Sequence, residues 1–130
     1  MDVTPLIGEG QQIVQSYAGG QFRISSVNYE GAIFLWPDKV IDWNGAPEKF
    51  SSFMIDHFQP LIDIANEIDV LLLGTGDKME YVSPQLRQAL SHNKLPADVM
   101  DTGAACRTYN VLMAEGRRVV CALMPTSVNQ

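Results

Sequence analysis

Two short segments of this sequence combine small residues with groups that could attract an anion. The tripeptide Gly-Thr-Gly at residues 74–76 follows an apolar run, and residues 102–107 begin a segment with helical spacing. The first amide groups of a helix have no partner within the helix, and the helix dipole makes this end positive. Glycine and alanine let a ligand approach the backbone closely. The candidate ligand-binding residues of these segments are Gly74, Thr75, Gly76, Thr102, Gly103, Ala104 and Arg107.

Arg107 falls near the positive end of this predicted helix, where a cation is disfavoured by about 0.3–1 kcal/mol. Its position therefore requires a compensating negative charge, and two sources stay open. One is an internal carboxylate, and the other is an anion on a ligand or partner. The carboxylates within reach along the chain are Asp77, Glu80 and Asp101. The Gly-Thr-Gly segment matches neither a dinucleotide fingerprint nor a Walker A loop.

The other residues that could do chemistry stand apart in the sequence. Cys106 has no histidine nearby and is predicted to be a packing residue, as is Cys121 in its apolar segment. The cysteine spacing matches no zinc site, and His57 and His92 each stand alone. We therefore predict no catalytic residue, no metal and no cofactor, and the balance favours a protein that is not an enzyme.

Composition narrows the class of protein. The chain has 130 residues, a formal charge of −6 and 46% apolar residues, which is typical of one folded domain over residues 1–130. A negative charge with scattered basic residues disfavours nucleic acid. The longest strongly apolar runs, such as residues 70–73, are too short for membrane insertion. Residues 1–5 match neither a signal nor a transit peptide, so we expect a cytoplasmic location without a disulfide.

The first part of the chain has the pattern of an antiparallel meander. Period-two or apolar stretches occupy residues 13–17, 22–25, 32–36 and 39–43, separated by glycine and proline turns. Helical spacing predicts a helix from Pro60 to Glu67.

The second part alternates between strand and helix patterns. Strands are predicted at residues 70–73, 97–100 and 119–124. A helix capped by Ser83 ends at Asn93, and another begins at Asp101 or Thr102 and ends at Gly116. This is a parallel β-α-β-α-β unit, so we expect an α/β fold of the mixed α+β kind: one layered domain with a bent mixed sheet. Its two glycine segments should converge at the carboxyl ends of the strands.

An aromatic stripe precedes the predicted helix of residues 60–67. It is predicted to close one end of the sheet as core, whereas an exposed fraction would form a protein-binding patch. Two tryptophans could add to that patch. The residues concerned are Phe50, Phe53, Met54, Phe58, Trp36 and Trp43. The acidic residues Asp63, Glu67 and Asp69 indicate a solvated helix face.

Three segments carry a family resemblance: residues 72–76, residues 100–105 and the run Arg-Thr-Tyr-Asn at 107–110. They resemble the domain-of-unknown-function family that includes the mitochondrial respiratory complex I assembly factor 3 and small bacterial and archaeal proteins. The resemblance implies a layered β/α domain that acts through protein partners, with no established catalytic activity. It adds Thr108, Tyr109 and Asn110 to the candidate site.

Two functions follow as hypotheses. The first is a non-enzymatic interaction or assembly protein, linked to respiratory-complex or membrane-protein biogenesis, with an unidentified protein partner and an open oligomeric state. The second is a small-molecule anion binder or unrecognised enzyme that uses the edge formed by residues 74–76 and 102–107.

Overall fold

The computed structural model describes residues 10–127, which form two β-sheets and three α-helices. Residues 1–5, on which the leader prediction rests, lie outside this range. The strands are β1 Val14–Ala18, β2 Gln21–Ile24, β3 Val27–Glu30, β4 Ile33–Trp36, β5 Lys39–Asp42, β6 Val70–Gly74, β7 Ala97–Met100 and β8 Val119–Leu123. The helices are α1 Gln59–Ile62, α2 Pro84–His92 and α3 Thr102–Ala114, with 3-10 turns at Phe50–Ser52, Ile55–Phe58 and Ala65–Glu67.

The predicted meander divides between two sheets. Strands β1, β2 and β3 form a three-stranded antiparallel sheet, whereas β4 and β5 join the parallel strands. The additional strand, β3, follows a turn in which Ser25 and Ser26 both have positive φ, 46° and 71°. Such turns normally contain asparagine or glycine. Because two serines stand here instead, the sequence gives no turn signal for this hairpin.

The second sheet has the order β5-β4-β8-β6-β7, in which β8, β6 and β7 are parallel and β4 and β5 are antiparallel additions. The chain crosses from β6 to β7 through α2 and then back past β6 to β8 through α3. Right-handed crossovers in opposite directions place the two helices on opposite faces. The predicted mixed α+β class is confirmed, while the single-domain prediction for residues 1–130 stays a prediction.

The central strands β4, β8 and β6 are buried on both faces of the five-stranded sheet, and their alternate side chains pack on different faces. Leu71 and Leu73 pack with α2 and the aromatic residues of the 50–58 segment. Leu72 packs on the opposite face with α3 and the three-stranded sheet. This double burial explains why β6 appears in the sequence as an uninterrupted apolar run.

The aromatic stripe forms core, as predicted, with one exception. Phe50, Phe53 and Phe58 are buried around Trp43, whose indole Nε1 donates to the His57 carbonyl oxygen at 2.7 Å. Met54 is 63% exposed. The helix predicted over residues 60–67 is interrupted: α1 ends at Ile62, and a separate 3-10 turn follows a non-helical residue, Ile64.

Candidate functional site

The structure brings the two glycine segments together at the carboxyl ends of β6 and β7, the strands that they follow. The Thr75 amide donates to the Met100 carbonyl oxygen at 2.9 Å, and the Thr102 amide donates to the Gly76 carbonyl oxygen at 2.9 Å. The strand order reverses between β6 and β8, which is where open α/β sheets usually leave a crevice for a ligand. The convergence expected from the sequence is therefore present in the structure.

Thr102 fills the space between the two segments. Its hydroxyl accepts a hydrogen bond from the Gly76 amide at 2.9 Å and donates to the Met124 carbonyl oxygen at 2.6 Å, and the residue is fully buried. Packing around Gly74 is equally close, because a Cβ there would lie 2.8 Å from a Leu123 methyl carbon and 3.0 Å from the Thr102 Cα. Both residues thus serve to fasten the helix to the sheet.

The start of α3 is capped by the chain itself. Asp101 Oδ1 accepts a hydrogen bond from the Ala104 amide at 2.8 Å, which makes Asp101, rather than Thr102, the capping residue. A capping carboxylate satisfies an orphan amide and complements the positive end of the helix. Gly103 is covered by Tyr17, whose hydroxyl oxygen would lie 2.5 Å from a Cβ at this position.

Arg107 is exposed beside this helix start. Its Nη1 donates to the Tyr17 hydroxyl at 2.9 Å, whereas the one ion pair within residues 10–127 joins Arg118 to Asp69. An internal pair of Arg107 with a carboxylate, one of the two alternatives, is therefore not formed in the described part of the chain. A small pocket of about 200 Å³ adjoins the guanidinium and is lined by Tyr17, Gly76, Asp77, Asp101, Gly103, Arg107 and Thr126.

The last candidates on α3 have other neighbours. The Tyr109 hydroxyl lies 2.6 Å from the Gln12 carbonyl oxygen and is fully buried. The Asn110 amide group bonds to both backbone groups of Val14, accepting from its N–H at 3.0 Å and donating to its carbonyl oxygen at 2.9 Å. These two side chains join α3 to the N-terminal sheet, while Thr108 is half-buried.

Thr75 and Ala104 complete the candidate set. Thr75 is buried, and its hydroxyl accepts from the Glu80 amide at 3.0 Å and lies 2.7 Å from the Lys78 carbonyl oxygen, to which it donates. It therefore shapes the loop after β6. Ala104 is half-buried in the first turn of α3.

Four residues of the pocket were absent from the candidate ligand-binding residues, namely Tyr17, Asp77, Asp101 and Thr126. Tyr17 lies on β1, 90 residues before Arg107, and no sequence pattern predicts the hydrogen bond between the two side chains. Thr126 follows β8 and is buried, and its hydroxyl has no hydrogen-bond partner in the structure. Asp77 accepts hydrogen bonds from the amide and the hydroxyl of Ser127. The sequence predicts Asp77 and Asp101 as possible carboxylate partners of Arg107, not as ligand-binding residues.

Both thiols are buried in the described part of the chain. Burial raises the pKa of Cys106 to about 12 despite the nearby Arg107, and burial also raises the pKa of Cys121. Both thiols are free. His57 Nδ1 accepts from the Met54 amide at 2.9 Å. Residues 10–127 contain no group of three or more side chains that could hold a metal ion.

The loop that follows β6 also lines a second cleft, of about 700 Å³. Its lining includes Phe50 and Met124 together with residues 46–49 and 75–78. Next to it along the chain, Met79 and Tyr81 are 61% and 78% exposed. The loop after β6 therefore presents apolar side chains to solvent.

Known proteins with similar sequences include bacterial and mitochondrial members. An uncharacterised Rhodobacter capsulatus protein is 31% identical over 112 residues, covering 86% of this chain and 83% of its own length. The mouse NADH dehydrogenase [ubiquinone] 1 alpha subcomplex assembly factor 3 is 32% identical over 118 residues, covering 86% of this chain. The match spans 60% of the mouse protein.

Solved structures share the fold. A Bartonella henselae protein described as an outer membrane protein has a TM-score of 0.78 at 29% identity, covering 90% of this chain and 97% of that one. A Bordetella pertussis Mth938-like domain has a TM-score of 0.78 at 27% identity, covering 100% and 95% of the two chains. In the present chain, none of the helices within residues 10–127 has the length and apolar character needed to cross a membrane.

The family model described as a protein of unknown function (DUF498/DUF598) matches residues 14–124. That match contains all three motif segments on which the resemblance was based, and the relatives include the mitochondrial assembly factor named there. The predicted family is confirmed: this chain belongs to the DUF498/DUF598 family of proteins of unknown function.

Proposed function

We propose that this protein is a non-enzymatic assembly factor that acts by binding a protein partner during the building of a respiratory complex. The observation that carries the proposal is its 32% identity to the mouse protein named as an assembly factor of NADH dehydrogenase. Because the match spans 60% of that protein, the proposal concerns the role of the shared domain.

The chemistry of the described residues supports binding over catalysis. The two thiols are buried and protonated at neutral pH, since burial raises both pKa values. Hydrogen bonds to the protein's own backbone engage the polar side-chain groups of Thr102, Tyr109 and Asn110. Such residues hold the fold together, which leaves the surface to carry the function. The cytoplasmic location stays a prediction.

The docking surface in this proposal is the loop after β6, with Met79 and Tyr81 beside the cleft of about 700 Å³. Large apolar side chains with this much exposure are typical of protein interfaces, and tyrosine and methionine are enriched there. The partner proposed for this surface is a protein subunit with an exposed apolar segment.

Affinity purification of the tagged full-length chain from its native host tests the proposal. The wild-type chain should recover a subunit of the NADH dehydrogenase, and the double variant Met79→Ser, Tyr81→Ser should lose it. The matched control is Val111→Ser on α3, which removes another exposed apolar side chain, 57% accessible, and should retain the partner. Recovery of the wild-type chain alone, together with normal NADH dehydrogenase assembly in a deletion strain, would contradict the proposal.

Anion binding at the carboxyl edge is the second candidate, favoured by the exposed Arg107 guanidinium beside a pocket of about 200 Å³. Asp77 and Asp101 line the same pocket and oppose an anion, so this candidate ranks second. A thermal-shift screen of phosphates, carboxylates and nucleotides tests it. A ligand at about 100 times its dissociation constant adds roughly 2.7 kcal/mol to stability. A shift that persists in Arg107→Gln would contradict this site.

A further inference from the structure

A groove of about 480 Å³ lies at the opposite edge of the sheet, where α3 ends and β8 begins. One wall is the turn between β4 and β5, and the other includes the residues that connect α3 to β8. Ile64 and Glu67, from the segment between α1 and β6, also contribute. None of the candidate ligand-binding residues lies in this groove.

Trp36 in the groove wall has an unsatisfied donor. The residue is 7% exposed, and its indole Nε1 has no hydrogen-bond partner among residues 10–127. A buried donor without a partner costs about 1–3 kcal/mol, so such groups are rare in native structures and require an explanation. Trp43 makes the contrast, because its Nε1 is bonded to the His57 carbonyl oxygen at 2.7 Å.

The charged side chains around Trp36 favour a negatively charged hydrogen-bond acceptor in the groove. Three of the nine basic residues of this acidic chain line the groove, Lys39, Arg117 and Arg118, against two acidic residues, Asp38 and Glu67. Lys39 Nζ lies 4.7 Å from the centre of the Trp36 ring.

The end of α3 accounts for part of this charge, because cations are favoured near the C-terminus of a helix. Arg118 already forms an ion pair with Asp69, in which Nη2 lies 2.7 Å from Oδ1. Neither effect accounts for the indole N–H. The Arg117 guanidinium lines the same groove and lies outside that ion pair. A ligand that accepts hydrogen bonds and carries negative charge would satisfy the indole N–H and also interact with this guanidinium.

We propose that this groove binds a carboxylate, which accepts hydrogen bonds from the Trp36 indole N–H and the Arg117 guanidinium. Carboxylates match the planar donor arrangement of arginine. The neutral indole N–H of Trp36 and the charged guanidinium of Arg117 would both donate hydrogen bonds to the carboxylate. The carboxylate belongs either to a free small acid or to an acidic side chain of another protein. The proposal is independent of the assembly role.

Nuclear magnetic resonance of the full chain labelled with ¹⁵N tests the site through its two indole N–H signals. Glutarate is one probe, and an acetylated, amidated tetraglutamate peptide is the other, each titrated at constant ionic strength. The Trp36 signal should shift and saturate, while the Trp43 signal should stay in place as the internal control. Saturation with glutarate identifies a free acid as sufficient, whereas saturation with the peptide alone identifies a protein source.

Two variants separate this groove from the other edge. Arg117→Gln should weaken binding about tenfold, the effect of losing one charge-assisted hydrogen bond. Arg107→Gln, the matched control at the carboxyl edge, should leave binding unchanged. A Trp36 signal that neither probe moves, or equal binding by wild type and Arg117→Gln with an undisturbed Trp43 signal, would overturn the proposal.

Discussion

The two edges of the five-stranded sheet differ in how their polar groups are used. At the carboxyl edge, Thr102 joins the glycine bend to β8, and Asp101 caps α3. At the amino edge, the indole N–H of Trp36 remains unsatisfied beside basic side chains. Topology favours a ligand at the first edge, where the buried Thr126 hydroxyl also lacks a partner among the described residues, whereas the basic side chains around the Trp36 indole favour an anion at the second. Strand order therefore indicates where a crevice can form, and side chains decide whether it stays open.

The largest expected effect concerns Cys106, which is buried one turn into α3 near the carboxyl edge. At pH 8, a thiol with a pKa of about 12 carries roughly a thousandfold less thiolate than one at the ordinary value of 9.0. Labelling of the native protein by a disulfide reagent should be slower by at least this factor than labelling in urea. Rapid labelling of native Cys106, with Cys121→Ser as the background, would show that the carboxyl edge is open.

Thr102→Val should give the next largest effect, a loss of about 3 kcal/mol in the free energy of unfolding. The substitution keeps the shape but leaves the Gly76 amide and the Met124 carbonyl oxygen buried without this partner. Urea unfolding measures the change. Thr108→Val, the same substitution at a half-buried position of the same helix, should stay within about 0.5 kcal/mol. Equal losses of unfolding free energy in both variants would show that the Thr102 hydroxyl has no special role at the carboxyl edge.

Tyr109→Phe tests the link from α3 towards the amino edge and should cost about 1–2 kcal/mol. The hydroxyl lies 2.6 Å from the Gln12 carbonyl oxygen and 3.1 Å from that of Trp36. Burial raises the pKa of Tyr109 above its ordinary value of 10.0, so its hydroxyl stabilises the fold below that pH. The wild-type advantage over the variant should therefore shrink as the pH rises past 10.0.

The exposed Tyr81 supplies the control for that measurement. Tyr81→Phe removes the same hydroxyl at a position that is 78% exposed, and the free energy of unfolding should change by less than about 0.5 kcal/mol. A cost as large as that of Tyr109→Phe would mean that burial is not the cause.

The smallest effect is expected at the surface ion pair of the amino edge. A side-chain hydrogen bond from Arg118 lowers the pKa of Asp69 below its ordinary value of 3.8. The stabilisation is present above that value and is lost as the pH falls through the lowered pKa. In Arg118→Gln, the Asp69 carboxyl should titrate nearer 3.8, as followed by ¹³C resonance. An unchanged titration would show that the pair is not formed in solution.

The sequence predicts best those elements whose signals are local. The Ser83 hydroxyl accepts a hydrogen bond from the Leu86 amide at 3.2 Å and caps the start of α2, as predicted. The apolar run of residues 70–73 forms the buried strand β6. Pairing between distant segments has no such signal. The approach of Tyr17 to Arg107 depends on how the N-terminal sheet lies on α3. The use of the Thr102 hydroxyl depends on how closely β8 passes.

The contact between Asn110 and β1 has a consequence for how the chain is made. Asn110 and Val14 are separated by 96 residues, so the side chain that secures the first strand is synthesised long after that strand. During translation, the N-terminal hairpins emerge before the helix on which they rest. Because contacts this distant in sequence form slowly, the first sheet should acquire its native protection from hydrogen exchange only when the nearly complete chain has left the ribosome.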